Sequence, residues 1–273
     1  MSKSASIQNE ISKLYVLESL AEGNSVIHKL HPFVKLFTSF ALIVIIASFS
    51  RYSLAQLIPF VFYPAILMAL AEIPYSLLFK RTLIALPFCL FAGISNVIFD
   101  TDTALFIAGI PISYGTISLF TIILKVLLCV TIVLILVSVT PLRDLTDELR
   151  RLRMPGIIVI TFEMTYRYIG VLADEAHRMY TSYLLRSKMR KGLKIGDMGS
   201  FVGQLFLRSI DRSERIYNAM KCRGYSMDKI AYAKRPLKIN DYIYLFVIIV
   251  FAVSLRVFDV GAAFSELIGA IIR

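Results

Sequence analysis

Apolar residues run almost without interruption through five stretches of the chain: Phe33 to Phe49, Ser53 to Ala71, Thr82 to Phe99, Thr116 to Val139 and Asp241 to Phe258. A bilayer core about 30 Å thick takes roughly 20 apolar residues per helix, so each stretch predicts a membrane span. A shorter run, Val260 to Ile272, suits a half-span or an interfacial tail. From Thr140 to Leu237 the pattern changes, and apolar residues recur at helical spacing with polar ones between them. The fold expected is an all-α membrane protein of about five transmembrane helices with a cytoplasmic arm of amphipathic helices. Its regions are 1–139 with four spans, 140–240 as the arm, and 241–273 as a last span and tail.

Three helices are predicted in the arm. The first, Pro141 to Arg153, has Thr140 as its cap, Pro141 at the opening position and Asp144 in the first turn, with Arg150, Arg151 and Arg153 in the last. Leu142, Leu145, Leu149 and Leu152 form its apolar stripe, Asp147 stands four residues before Arg151, and Pro155-Gly156 ends it. The second, Ile157 to Leu185, carries a packing seam of Phe162, Tyr166, Ile169, Ala173, Ala176, Tyr180 and Tyr183. Its other side offers Glu163 with Arg167 and Asp174 with Arg178. The opening, Ile157 to Phe162, is apolar all round and predicted to touch the membrane. After a basic turn, Lys188 to Lys194, the third helix runs from Met198 to Cys222, with Arg208, Asp211, Arg212 and Arg215 lining its polar side.

Charge orients this plan. Residues 141–240 hold 20 Lys and Arg against 10 Asp and Glu, a local +10 of the chain's +11. Basic residues beside spans resist translocation, which places this block in the cytoplasm. The first and third spans then start inside, at Lys29 and Lys35 and at Lys80 and Arg81, and the loop from Asp100 to Gly115, which has no Lys or Arg, lies outside. The first 27 residues show no cleavable signal pattern, so the first span serves as the insertion signal. The localisation expected is a multi-pass protein of the inner (plasma) membrane with its N-terminus inside. A composition that is 57% hydrophobic and 18% charged agrees.

Little in the chain carries enzyme chemistry. Cys89 and Cys129 fall inside predicted spans, and Cys222, in the arm, is expected to be reduced. His28 and His31 could share a helix face, but Pro32 follows directly, so His31 reads as a cap and no metal site is expected. There is no phosphate-binding glycine loop, catalytic triad or supported carboxylate pair, so no cofactor is expected and any ATP is hydrolysed by another protein. Lys125, alone in the fourth span, is a functional candidate facing the bundle or a partner, with a structural pair and transport chemistry both open. A stand-alone secondary carrier or channel would need converging polar residues in the spans. A nucleic-acid partner is not expected, since the arm's bases are interleaved with acids.

Both long arm helices end alike, in Leu185-Arg186-Ser187 and Cys222-Arg223-Gly224. The two arginines read either as surface charges that neutralise helix ends and attract anionic lipid, or as docking tips whose guanidinium enters a groove on a partner. Spacing alone leaves both open. With Thr165-Tyr166-Arg167-Tyr168, the run Leu207 to Arg215 and the run Asn218 to Tyr225, these endings resemble the transmembrane coupling (T) component of energy-coupling factor (ECF) ABC transporters, in detail the cobalt-transport CbiQ type. The likeness is sharpest from Pro141 to Tyr225 and covers most of the chain. It implies partners: two ABC ATPase subunits, each gripped by one of the family's two Ala-Arg-Gly/Ser motifs, and a substrate-binding integral membrane subunit. The motifs map onto Leu185, Arg186, Ser187 and Cys222, Arg223, Gly224, with a departure at the first position of each. Cobalt or nickel is the cargo implied, and a vitamin importer sharing this kind of component is the alternative.

Overall fold

The computed structural model describes residues 20–21, 23–100, 103–107, 110–151, 154–187, 192–226 and 236–257. The described elements in chain order are α1 (Pro32–Ala47), α2 (Leu54–Ala71), α3 (Tyr75–Phe99), a hairpin of β1 (Thr103–Ile107) and β2 (Ile110–Ser113), α4 (Tyr114–Val139), α5 (Leu142–Arg151), α6 (Gly156–Arg186), α7 (Ile195–Cys222) and α8 (Ile239–Val257). α2 and α3 each tighten into a short 3-10 stretch, at Ile58–Val61 and Leu83–Ala85. Chain contacts divide the protein into two compact units, Leu142–Lys234 on one side and Leu20–Pro141 with the chain from Arg235 onward on the other.

In the larger unit α4 packs on α1, α2 and α3. Its core gathers Leu42 and Ile46 of α1, Leu57, Phe60 and Leu67 of α2, Leu128, Ile132, Ile135 and Val139 of α4, and Ala252 of α8. Phe60 sits at the centre, edge-on to Phe49 at 5.5 Å and to Phe251 at 6.5 Å. Polar groups among these helices find partners close by. The Thr38 hydroxyl donates to the Val34 carbonyl at 2.8 Å, Tyr63 and Tyr244 share a hydrogen bond of 3.3 Å, and Asn96 donates to Ser118 at 2.9 Å. The outward faces stay apolar, with Phe88, Phe91 and Phe246 exposed, as suits helices solvated by lipid tails.

Several sequence expectations change in detail. Among the described residues five helices are long and apolar enough to cross a membrane: Leu54–Ala71, Tyr75–Phe99, Tyr114–Val139, Gly156–Arg186 and Ile239–Arg256. Pro32–Ala47, at 16 residues, falls short of that length, while Gly156–Arg186, placed in the arm by its charges, reaches it with a mean hydropathy of only 1.3. The segment between α3 and α4, expected as a loop, carries the antiparallel pair β1 and β2, with Phe106 opposite Pro111 and Ile107 opposite Ile110. Thr103, Phe106 and Ile107 before a two-residue gap, and Ile110 and Ile112 after it, are residue types that favour strands. Thr140 does not cap α5: it follows the last residue of α4, and its buried hydroxyl has no hydrogen-bond partner among the described residues. Pro141 precedes α5 rather than opening it, since the helix starts at Leu142. The tail Val260 to Ile272, Leu152 with Arg153, and most of the turn from Lys188 to Lys194 lie outside the described residues.

Gly115 shows why α4 must begin where it does. A Cβ there would lie 2.6 Å from the Asn96 carbonyl oxygen, 2.7 Å from that of Asp100 and 2.8 Å from the Val97 Cα. Only a glycine lets the start of α4 lie against the end of α3 this closely.

Candidate functional site

The junction through which the larger unit sends out and takes back the smaller one is built by residues of the first span. His31 ends the loop in extended backbone, Pro32 supplies the fixed φ suited to the first helical position, and the His31 Nδ1 accepts the Phe33 N–H at 3.2 Å. This is the cap the sequence predicts. His28, by contrast, meets the Ser25 hydroxyl at 2.7 Å and the Leu20 carbonyl at 2.9 Å, so both its ring nitrogens have protein partners. Among the described residues no group of three His, Cys, Asp or Glu is placed to hold a metal ion.

Two buried charges stand here: Lys35, which the sequence marks only as a basic flank of the first span, and Asp241, to which it assigns no role. Lys35 lies one turn into α1, and its ammonium donates to the Val139 carbonyl at 3.0 Å and the His28 carbonyl at 3.3 Å. The cation thus sits at the carbonyl pole of α4, where helix dipoles favour positive charge. Asp241, in the first turn of α8, accepts the Lys238 N–H at 2.7 Å and the His31 N–H at 2.8 Å. One carboxylate therefore satisfies amide groups at the start of two helices. The chain leaves at Val139 and returns at Lys238, and residues 28–35 hold both points. A lysine inside an apolar span and an acid at a helix start were the visible signals. Their acceptors and donors are main-chain groups, which leave no mark on sequence.

The smaller unit presents the two arginine endings. α6 is 31 residues long and α7 28, about 46 and 42 Å at 1.5 Å per residue. Arg208 pairs with Glu175 at 2.5 Å and the Tyr183 hydroxyl donates to Asp197 at 2.7 Å, so the two helices are braced toward the end of α6 that carries Arg186. α6 stops at Arg186 because Ser187 leaves helical geometry, its N–H donating to Tyr183 at 2.9 Å and its hydroxyl to the Leu184 carbonyl at 3.2 Å. α7 stops differently. Gly224 takes a φ of +75°, its N–H donates to the Lys221 carbonyl at 2.9 Å, and the Tyr225 N–H reaches back to Met220 at 3.0 Å. That is a Schellman closure, which asks for glycine at this position. Leu185, Arg186, Cys222, Arg223 and Gly224 are all exposed, while Ser187 is half-buried. Arg186 also borders a cleft between α6 and α7, shared with Arg178, Tyr183, Asp197 and Gln204.

The ion pairs and the seam depart from the expected pattern. Glu163 turns to Arg150 of α5 at 3.9 Å rather than to Arg167, and Arg151 pairs with Glu148 at 3.4 Å. The first of these is a tertiary pair between α5 and α6, whereas the second lies within α5 at a spacing of three, and pairs one turn apart contribute only about 0.2–0.5 kcal/mol. Of the seam, Tyr180 is buried, but Phe162, Tyr166 and Ile169 are exposed. On α7 the apolar residues Val202, Phe206 and Tyr217 are likewise uncovered. Lys125 finds main-chain carbonyls instead of a carboxylate, those of Ala47 and Phe49 at the end of α1.

The family model described as CbiQ, cobalt transport protein, matches residues 23–232, a region that includes both arginine endings. The chain belongs to the CbiQ cobalt transport family. An uncharacterized protein of Methanocaldococcus jannaschii is 28% identical over 208 residues, covering 72% of this chain and 70% of that protein. The cobalt transport protein CbiQ of Rhodobacter capsulatus is 29% identical over 104 residues, 37% of this chain and 42% of its own length. The energy-coupling factor transporter transmembrane protein EcfT of Ruminiclostridium cellulolyticum is 25% identical over 217 residues, 74% of this chain and 80% of that protein. This CbiQ-family chain is thus a multi-pass membrane protein and a T component of the ECF transporter class.

Proposed function

We propose that this chain couples two ABC ATPase subunits to a substrate-binding membrane subunit, with Arg186 and Arg223 as the contacts to the ATPases. ATP-driven closure of the ATPase pair moves the two tips relative to each other, and α6 and α7 carry that displacement to the membrane helices. The smaller unit faces the cytoplasm in this reading, in keeping with its excess of Lys and Arg. Leu185, Ser187, Cys222 and Gly224 shape the two tips, each tip lying in a groove of one ATPase.

The observation that carries the proposal is the pairing of exposure with bracing. Two guanidinium groups are exposed at the ends of two long helices, and those helices are tied by Arg208–Glu175 and Tyr183–Asp197. A tied pair of helices transmits a displacement that a loose pair absorbs. The uncovered apolar faces of α6 and α7 are surfaces of the kind that a membrane partner covers. Cobalt or nickel is the cargo, and the ion is bound by another subunit.

Uptake of radioactive cobalt by cells carrying the complete transporter tests this reading. Arg186→Glu with Arg223→Glu is expected to abolish uptake while the protein still reaches the membrane. Uptake at the unaltered rate would overturn it.

A further inference from the structure

Lys125 and Arg256 converge on the C-terminal end of α1. The Lys125 ammonium donates to the Ala47 carbonyl at 3.4 Å and to the Phe49 carbonyl. From α8, the Arg256 guanidinium lies over the Phe49 ring with its Cζ 4.4 Å from the centroid, and donates to the Ser48 hydroxyl at 3.5 Å. Three consecutive residues therefore hold two cations. The carbonyl pole of a helix offsets only about half a charge, and among the described residues no carboxylate pairs with either group. Among the described residues these contacts leave donors unused on both, since an ammonium has three and a guanidinium five.

The surroundings are those of a lipid boundary. Val44 of α1 and Val253 of α8 are exposed close by in sequence, and Arg256 is itself exposed. α1 has only 16 residues, about 24 Å of helix against a hydrocarbon core of about 30 Å. A short span thins the bilayer beside it and draws headgroups toward its end. Lys125 lies about 16 Å along α4 from its start, deeper than an unperturbed headgroup layer, but its long stem reaches the sunken end of α1.

We propose that Lys125 and Arg256 form a binding site for the phosphodiester of an anionic phospholipid at the C-terminal end of α1. The guanidinium supplies paired donors to two phosphate oxygens and the ammonium a point charge to the same group. Acyl chains descend over the apolar faces of α1 and α8. A soluble phosphate offers the same charge but nothing to cover those faces, so the headgroup of a lipid is the better fit.

Native mass spectrometry of the full chain, delipidated and then offered dioleoyl phosphatidylglycerol or dioleoyl phosphatidylcholine, tests the site. The unaltered protein is expected to retain phosphatidylglycerol in preference. A basic residue near anionic lipid contributes about 1 kcal/mol, so Arg256→Gln is expected to reduce that preference about fivefold. Combining it with Lys125→Gln is expected to remove it. Because Lys125→Gln also uncaps α1, the single Arg256→Gln variant, which leaves that cap in place, keeps the outcome decisive. Equal retention of the two lipids, or an unchanged preference in Arg256→Gln, would overturn the proposal. So would displacement of the lipid by excess inorganic phosphate, or its replacement in the complete transporter by a partner carboxylate cross-linked to Lys125.

Discussion

The ammonium of Lys35 donates to the main-chain carbonyl of Val139 at 3.0 Å, joining two residues 104 apart in sequence. The contact closes the end of α4 three residues before the smaller unit begins at Leu142. Replacing Lys35 with Met keeps the apolar stem but removes the donors, leaving carbonyl groups of Val139 and His28 without this partner. Hydrogen bonds to charged groups contribute about 1.5–3 kcal/mol, so Lys35→Met is expected to lower the thermal midpoint in detergent by several degrees. Differential scanning fluorimetry against the unaltered protein checks this, and an unshifted midpoint would contradict it.

Asp241 serves two helix starts at once, with one oxygen to His31 and the other to Lys238. Asp241→Asn retains one acceptor and is expected to cost about 1 kcal/mol. Asp241→Ala loses both and is expected to cost about 2–3 kcal/mol, since a buried amide left without a partner bears its desolvation penalty. The order of the two midpoints, alanine below asparagine below aspartate, is the measured outcome.

Gly115→Ala places a methyl carbon against main-chain atoms of Asn96, Val97 and Asp100, each under 3.0 Å away. Backbone cannot swing aside as a side chain can. The cost expected is about 1–3 kcal/mol, seen as a lower thermal midpoint with unchanged membrane insertion.

Burial holds the His28 imidazole below its ordinary titration range, and the nearby Lys35 ammonium pushes the same way, while the Leu20 carbonyl opposes both. A histidine whose folded value is depressed stabilises the fold fully above its unfolded value of about 6.5. That contribution is lost as pH falls through the lower, folded value, because the unfolded chain takes up the proton first. The thermal midpoint is therefore expected to decline more steeply below about pH 6.5 in the unaltered protein than in His28→Gln.

Much of this architecture is legible in the residue pattern, and the exceptions share a cause. The apolar runs place α2, α4 and α8 to within two residues at either end, because burial in lipid imposes a nearly continuous apolar code. Gly224 and Arg223 foretell a sharp helix end, and Pro32 after His31 foretells a cap, because these are local backbone requirements. Local pattern fails where a partner comes from far along the chain. Glu163 finds Arg150, Lys125 finds the carbonyls ending α1, and Lys35 finds the end of α4. The apolar seam predicts packing along all of α6, yet only its later part, at Tyr180, is covered. Periodicity reports that a face is apolar, not what lies against it. The arginine endings were visible as motifs, while their role rests on family resemblance and on the bracing of α6 to α7.

Co-purification of the ATPase subunits with the tagged membrane component, from detergent extracts containing the whole transporter, tests the central claim most directly. Losing one charge-paired contact at an interface costs about 2–5 kcal/mol. Arg186→Glu and Arg223→Glu are therefore each expected to reduce ATPase recovery tenfold or more, and the double variant to abolish it, while Lys125→Gln leaves recovery unchanged. Full recovery of both ATPases by the double variant would contradict the assignment of these two arginines as the docking tips.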